Sequence, residues 1–150
     1  MEKRLNFFEK GQAALKSMYG LNGLLAKSTI EKHLLNLVYF RVSQINGCAF
    51  CLDMHSKDLR AEGEDEQRLY VLNAWRETNF YTPRERAALA WAEAITASTM
   101  PDQVYNEAAE HFTEAELVEL NMAVITINSY NRINIAFPPV VGTYQPGQFA

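Results

Sequence analysis

Cys48 and Cys51 are the only cysteines of the chain, and His55 follows four residues after the second. If Cys48 to His55 opens a helix, Cys51 and His55 lie one turn apart on a common face, and Cys48, three residues before Cys51, joins them. Both thiols then occupy a first turn. There the free backbone N–H groups and the positive end of the helix dipole favour thiolate over thiol and bring the pKa below its ordinary value of about 8.5. An imidazole one turn on can take or give the proton. A thiolate nucleophile, a second thiol able to close a disulfide on it and a base are the parts of a dithiol redox site. Two other uses of the same residues stay open. One is half of a zinc site, although His33 and His111 lack the paired spacing that would complete four ligands. The other is a pair of small buried side chains, since free cysteine is often core. No metal and no bound cofactor are expected.

The elements that position these residues read as helices. No glycine occurs between Gly63 and Gly142, a spacing that suits helices better than strands joined by tight turns. Three strings have the form of capping boxes: Ser28-Thr29-Ile30-Glu31, Thr82-Pro83-Arg84-Glu85 and Thr113-Glu114-Ala115-Glu116. Leu34, Leu35, Val38, Val42 and Ile45 mark one face of a helix from about Ile30 to Ile45, which Asn46-Gly47 ends. The next helix begins near Cys48 and runs to about Ala61. Others follow Pro83, span Pro101 to about His111, and follow Thr113. The β-branched run Val124 to Ile127 belongs to the last of these. Leu5 to Tyr19 also reads as helix, with Gly20 as its end. A thioredoxin fold sets its C-x-x-C after a strand, and none precedes Cys48, so the expected fold is all-α.

At 150 residues, with 48% hydrophobic and 21% charged positions, the chain is expected to form one domain over 1–150, without repeat or linker. A net charge of -4 without a basic stripe argues against a nucleic-acid partner. No apolar run approaches the roughly 20 residues that span a bilayer, so no membrane role is expected. Met1 to Leu5 is not followed by an apolar stretch of the signal-peptide kind. The expected location is cytoplasmic, where a reducing milieu makes a C-x-x-C pair redox-active or metal-binding rather than a structural staple. From Pro138 onward, prolines and glycines exclude a regular helix. Residues 138–150 are expected to be a non-helical tail, either disordered or an arm on a neighbouring subunit. Phe7, Phe8, Tyr19, Phe80 and Tyr81 fall outside the helical core stripes and are candidates for a subunit interface, where aromatics are enriched.

The run Val42-Ser43-Gln44-Ile45-Asn46-Gly47-Cys48-Ala49-Phe50-Cys51-Leu52-Asp53-Met54-His55 resembles the alkylhydroperoxidase AhpD-like family, within the carboxymuconolactone decarboxylase superfamily. The resemblance extends through Ala74 to Glu77, Glu85 to Glu93 and Asn128 to Arg132, and so covers most of the chain. It implies an all-α fold assembled as homohexamers or homotrimers, and a thiol-dependent peroxidase acting in antioxidant defence. In the implied cycle Cys51 is the peroxidatic sulfur, Cys48 resolves its sulfenic acid to a disulfide, and His55 relays the proton. The substrate would be an organic hydroperoxide, and an external thiol, lipoyl-linked or thioredoxin-like reductant would reopen the disulfide.

Two positions depart from the family's pattern. Its relay glutamate, twelve residues before the first cysteine, falls on Asn36, which cannot shuttle a proton as a carboxylate can. Asn36 is left to hydrogen-bond a thiol, His55 or a water. The family's histidine inside the C-x-x-C falls on Phe50, whose ring makes the site drier and opposes the helix-dipole effect on the thiols. A slower peroxidase with a preference for hydrophobic hydroperoxides is expected. His33, one turn before Asn36, is a weak stand-in for the missing relay and reads better as solvated. Glu31 reads as a cap, and Tyr39 as packing. Two other functions remain: a redox-sensing or disulfide-exchange protein of the same fold, and, less favoured because it needs no dithiol, a lyase of the carboxymuconolactone decarboxylase type.

Overall fold

A computed structural model describes residues 4–149; Met1 to Lys3 at the start and Ala150 at the end of the tail lie outside it. The described residues contain eight α-helices and no strand: α1 (Phe7–Lys10), α2 (Gln12–Leu25), α3 (Lys32–Asn46), α4 (Ala49–Ala61), α5 (Glu66–Tyr70), α6 (Pro83–Thr96), α7 (Asp102–Ala109) and α8 (Glu114–Ala136). A 3-10 segment, Leu72–Glu77, joins α5 to the loop before α6. The all-helical expectation holds, and Val124 to Ile127 lies inside α8.

Two of the three capping boxes form. Thr82 and Glu85 close α6, with Pro83 in its first turn, and Thr113 and Glu116 close α8. The third does not. α3 begins at Lys32, two residues later than its pattern suggests, and Glu31 at its N-cap makes no side-chain cap bond. Ser28 Oγ instead donates to Glu119 Oε2 of α8 at 2.6 Å and accepts from the Ile30 N–H. Glu31 pairs with Arg84. The hydroxyl thus still accepts from a backbone amide, but from Ile30 rather than Glu31, while its proton goes to a carboxylate of α8.

The first helix also departs from its reading. It breaks at Gly11, and α2 then runs on through Gly20 and Gly23 to Leu25. A Cβ at Gly11 would stand 2.7 Å from the Phe7 ring, so only glycine fits that close approach. Gly20 does not end α2, because Leu15 and Leu25 are buried and Asn22 Nδ2 donates to Tyr130 on α8 at 2.9 Å. Packing outweighs the modest helix cost of the two glycines.

α3 is the central helix. Leu34, Leu35, Val38 and Val42 join Ala88, Trp91, Leu120 and Val124 of α6 and α8 in one core cluster. Leu37 and Phe40, on its other side, join Leu59, Leu69, Leu72, Trp75 and Leu89 in a second. Tyr81 belongs to that second cluster, at 4% exposure, and is core rather than interface. Polar clamps tie the layers. Glu93 of α6 accepts from Arg41 of α3 at 2.8 Å and from the Trp75 indole at 2.9 Å, and also pairs with Arg76. Burial works against ionisation of Glu93, but these three donors outweigh it and hold its pKa below the ordinary value.

The tail is non-helical and lies on its own chain. Asp53 Oδ2 accepts from the Gly142 N–H at 3.0 Å, Lys57 Nζ donates to the carbonyls of Gly142 and Tyr144, and Tyr144 OH donates to Asp58 Oδ1 at 2.8 Å. All three side chains belong to α4. Phe149 stacks on Tyr144 and on Phe8, and Phe137 stacks on Phe7. The described tail thus rests on its own chain: α4 partners its backbone and the Tyr144 hydroxyl, and Phe8 of α1 stacks on Phe149. Phe7 and Phe8 meet this same segment, whereas Tyr19 and Phe80 stay exposed.

The corner between α3 and α4 is set by Gly47, whose φ of 66° places it in the left-handed region. An L side chain there is strained even though a Cβ would meet no neighbour. Gly47→Ala is expected to lower stability by about 1 kcal/mol, measured by urea unfolding. A change below a few tenths would show that the corner tolerates a side chain.

Candidate active site

Cys48 is the N-cap of α4, and Cys51 lies in its first turn. Gly47 turns the chain so sharply that the Cys48 N–H bonds back to the Ser43 carbonyl at 3.1 Å. The two cysteines, 5.4 Å apart at Cα, are joined as a disulfide, a separation within the range that such a bond accepts. The bond is enclosed: Cys48 is 1% and Cys51 0% exposed. Phe50 between them is also buried.

His55 follows one turn on and is 6% exposed. Neither of its ring nitrogens has a hydrogen-bond partner among the described residues. Its ring packs 5.4 Å from that of Tyr39 on α3. Burial pushes its pKa down to about 4, so at neutral pH the ring is uncharged. Burial also drives the Tyr39 phenol far above its ordinary value, leaving it a neutral hydroxyl. Tyr39 therefore does pack, as read from the sequence, but against the candidate relay histidine.

Asn36 stands elsewhere than expected. Its Nδ2 donates to both carboxylate oxygens of Glu62, each at 3.0 Å, so its partner is a carboxylate at the end of α4 rather than a thiol or His55. Glu62 also pairs with Lys32 at 3.1 Å. Burial opposes its ionisation, but Asn36 and Lys32 prevail and lower its pKa. His33 is not simply solvated. Its Nε2 bonds Glu64 Oε2 at 2.9 Å, and its Nδ1 lies 3.7 Å from Glu62. The position of the family glutamate thus carries an amide, while a carboxylate arrives from the far end of the dithiol helix.

Sequence reasoning missed the third wall of the site. Asn128, Asn131 and Asn134 recur at three-residue intervals on α8. Asn134 Nδ2 donates to Cys51 Sγ at 3.3 Å. Asn131 Nδ2 donates to Ser43 Oγ at 3.1 Å, and Ser43 Oγ in turn donates to the Tyr39 carbonyl at 2.8 Å. Asn46 Nδ2 donates to Asn128 and Asn131 at 3.0 and 2.9 Å. Asn131 is fully buried. The signal was present, since asparagine is a poor helix former and three on one stripe of an apolar helix ask for buried partners. Among the described residues, no three His, Cys, Asp or Glu side chains come together as a metal-binding group. No described helix is long and apolar enough to cross a membrane.

The sequence profile of the carboxymuconolactone decarboxylase family matches residues 12–94, more than half of the chain, including the C-x-x-C helix. The chain belongs to that family. It is 42% identical over 139 residues to the uncharacterised protein YdfG of Bacillus subtilis (strain 168), covering 91% of this chain and 95% of that one. The crystal structure of ATU0492 from Agrobacterium tumefaciens, a protein of unknown function proposed to be the antioxidant defence protein AhpD, superposes with a TM-score of 0.89. Its identity is 36%, over 95% of this chain and all of that one. The debrominase Bmp8 shares the fold, with a TM-score of 0.79 and 21% identity over 90% of this chain and 74% of its own. This family member therefore has the AhpD-like fold with the C-x-x-C pair in place.

His55 gives this site a pH signature. Between pH 6.5 and about 4 the unfolded chain binds a proton at His55 that the folded chain excludes, so stability falls as pH falls through that window. The loss is about 3 kcal/mol for a shift of this size. His55→Gln is expected to lose about 2 kcal/mol less stability than wild type between pH 7 and pH 4.5, read from urea unfolding, the remainder of the loss lying below pH 4.5. Equal losses in the two proteins would mean that His55 titrates normally.

Proposed function

We propose that the protein is a thiol-dependent peroxidase that reduces organic hydroperoxides through a Cys48/Cys51 dithiol–disulfide cycle, in antioxidant defence. The reading rests on one observation: a disulfide-forming pair at the start of α4 with an uncharged imidazole one turn on. In the reduced protein the Cys51 thiolate attacks the distal oxygen of the hydroperoxide. An S–O bond forms and the O–O bond breaks; sulfur loses two electrons and the leaving alkoxide takes a proton to become the alcohol. The Cys48 thiol then displaces hydroxide from the Cys51 sulfenic acid, giving the disulfide and water. An external thiol, lipoyl-linked or thioredoxin-like dithiol supplies two electrons and two protons to reopen it. His55 serves this cycle as a proton relay, since a neutral ring can accept at one nitrogen and donate from the other.

Two features tune the activity. The buried Phe50 keeps the site dry and favours a hydrophobic hydroperoxide. Asn36 removes the carboxylate relay from α3, so turnover is slower than in members that keep it. A second reading has its own support. A disulfide that is wholly enclosed and lacks that relay suits a sensor or exchange partner, which oxidises once and changes its contacts.

The proposed cellular form is a cytoplasmic homo-oligomer, hexamer or trimer. Exposed apolar side chains on the paired helices α2 and α8, Tyr19, Leu24, Ile125 and Ile135, support association. Light scattering after gel filtration is expected to give a mass three or six times 17.1 kDa; a monomer would remove this part of the reading.

Cumene hydroperoxide mixed with reduced wild type under stopped flow is expected to consume both thiols, faster than hydrogen peroxide does. Cys48→Ser is expected to accumulate sulfenic acid at Cys51, and Cys51→Ser to be inert. Thiols that survive many equivalents of either peroxide would end the peroxidase reading and leave the sensor.

A further inference from the structure

We infer that Asn134 is a catalytic residue, whose side-chain amide holds the negative charge of the reduced Cys51 sulfur. The inference rests on the reading of Cys51 as the attacking sulfur. In the disulfide, Cys51 Sγ accepts from Asn134 Nδ2 at 3.3 Å. On reduction the same atom becomes a thiolate, a far stronger acceptor for the donor already aimed at it. A thiolate of the external dithiol attacks Cys48 Sγ: a mixed disulfide forms there, the Cys48–Cys51 bond breaks, and Cys51 leaves with the electron pair as the thiolate. The donor's second thiol then displaces Cys48 as its own disulfide closes, and no proton need move at Asn134.

Something must fill this role, because the surroundings oppose charge. Cys51 is fully enclosed, and burial raises a thiol pKa. Cys48 is bonded to it, His55 lies one turn on along α4, and Tyr39 of α3 packs against His55. None of these supplies a positive charge: the Tyr39 hydroxyl is neutral, and His55 is depressed to about 4. The Arg4 guanidinium at the end of α8 is exposed and donates to the Ile135 and Ala136 carbonyls. Moving a proton from an ordinary thiol at about 8.5 to such a ring is unfavourable by more than four powers of ten. α8 faces the sulfur with amides. Its one charged residue beyond Glu119 is Arg132, which donates to the backbone and side chain of Asn128. The donors left to the thiolate are the first-turn amides of α4 and Asn134.

Asn134 is also held in place. One helical turn before it, Asn131 is locked between Ser43 and Asn46, and Asn46 is locked in turn to Asn128. These are positioning residues: they fix the rotation and register of α8 over the start of α4. A donor that carries no proton of its own to lose works at any pH at which the thiol ionises. The ionisation of Cys51 therefore follows a single thiol pKa, with no second step from an imidazolium partner.

The test uses the full chain and no peroxide, so its outcome is separate from that of the peroxidase reading. In a Cys48→Ser background, the rate of alkylation by iodoacetamide is followed against pH. The unaltered Asn134 protein is expected to give one transition below about 8.5. Asn134→Leu is expected to raise it by about one to two units. Asn134→Asp, of nearly the same shape, is expected to raise it at least as far by setting a carboxylate beside the sulfur. With both cysteines present, either variant is expected to make the disulfide harder to reduce in glutathione buffers, because the reduced form has lost its stabilising donor. Asn134→Gln is expected to recover part of the shift. A transition at or above 8.5 with Asn134 in place would overturn the inference, and needs no variant to fold. So would folded Leu and Asp variants whose Cys51 pKa and redox equilibrium match those of the parent.

Discussion

Ser43 and Asn131 are buried between α3 and α8 and bond one another, and half-buried Asn46 and Asn128 extend that bond into a network. The rest of the site depends on that network. A buried amide or hydroxyl left unpaired costs about 1–3 kcal/mol, so Ser43, Asn46, Asn128 and Asn131 admit few rotations of α8 against α3. Once that rotation is fixed, Asn134 falls on Cys51. The corner at Gly47 acts on the same point from the other side. It turns the chain within one residue and ties the Cys48 N–H to Ser43, a residue that also accepts from α8. The sulfur is thus located by two independent features that share Ser43, and neither relies on a loop.

The part of this site legible in the sequence was the part encoded over short distances. The phase of Cys48, Cys51 and His55 along one helix, the Asn46-Gly47 stop and the two threonine capping boxes all follow from spacings of seven residues or fewer. The asparagine row was not read, because its partners lie 83 to 88 residues away. Single amides carry no periodic apolar signal to announce such pairings. The Ser28 box failed for a related reason: its local pattern was complete, but the hydroxyl's proton is held by Glu119 of α8, 91 residues on, and its oxygen accepts from Ile30 instead of Glu31. Glu62 escaped notice because it acts at the far end of α4, where only the pairing of α3 with α4 brings it to Asn36. The tail is non-helical through residue 149. Its docking on Asp53, Lys57 and Asp58 needed the three-dimensional exposure of α4.

The fold leaves the reaction open. An AhpD-like protein and a debrominase share this helical framework, so the chemistry must be argued from the lining of the site. Here the lining has three marks. The carboxylate expected on α3 is displaced to Glu62, at the opposite end of α4 from the sulfurs. The residue between the cysteines is an apolar ring. The neighbours of the sulfurs on α8 are uncharged amides. Each mark reduces the charge near the disulfide, and together they describe an enclosed site with few mobile protons beside the sulfurs.

Enclosure imposes a choice on such a site. Burial that disfavours a thiolate disfavours an imidazolium equally, so a His–Cys ion pair would have to desolvate two charges to stabilise one. The imidazole here has yielded to that pressure: it is enclosed, without a hydrogen-bond partner among the described residues, and uncharged. Amide donors avoid the difficulty. They offer the sulfur a dipole already oriented by the packing of α8, and bring no charge of their own to desolvate. That orientation explains why so much polar structure is buried around one sulfur. A dipole stabilises charge only while it points at it, and the mutual hydrogen bonds of the asparagines set Asn134 on Cys51 in the disulfide form, ahead of any charge.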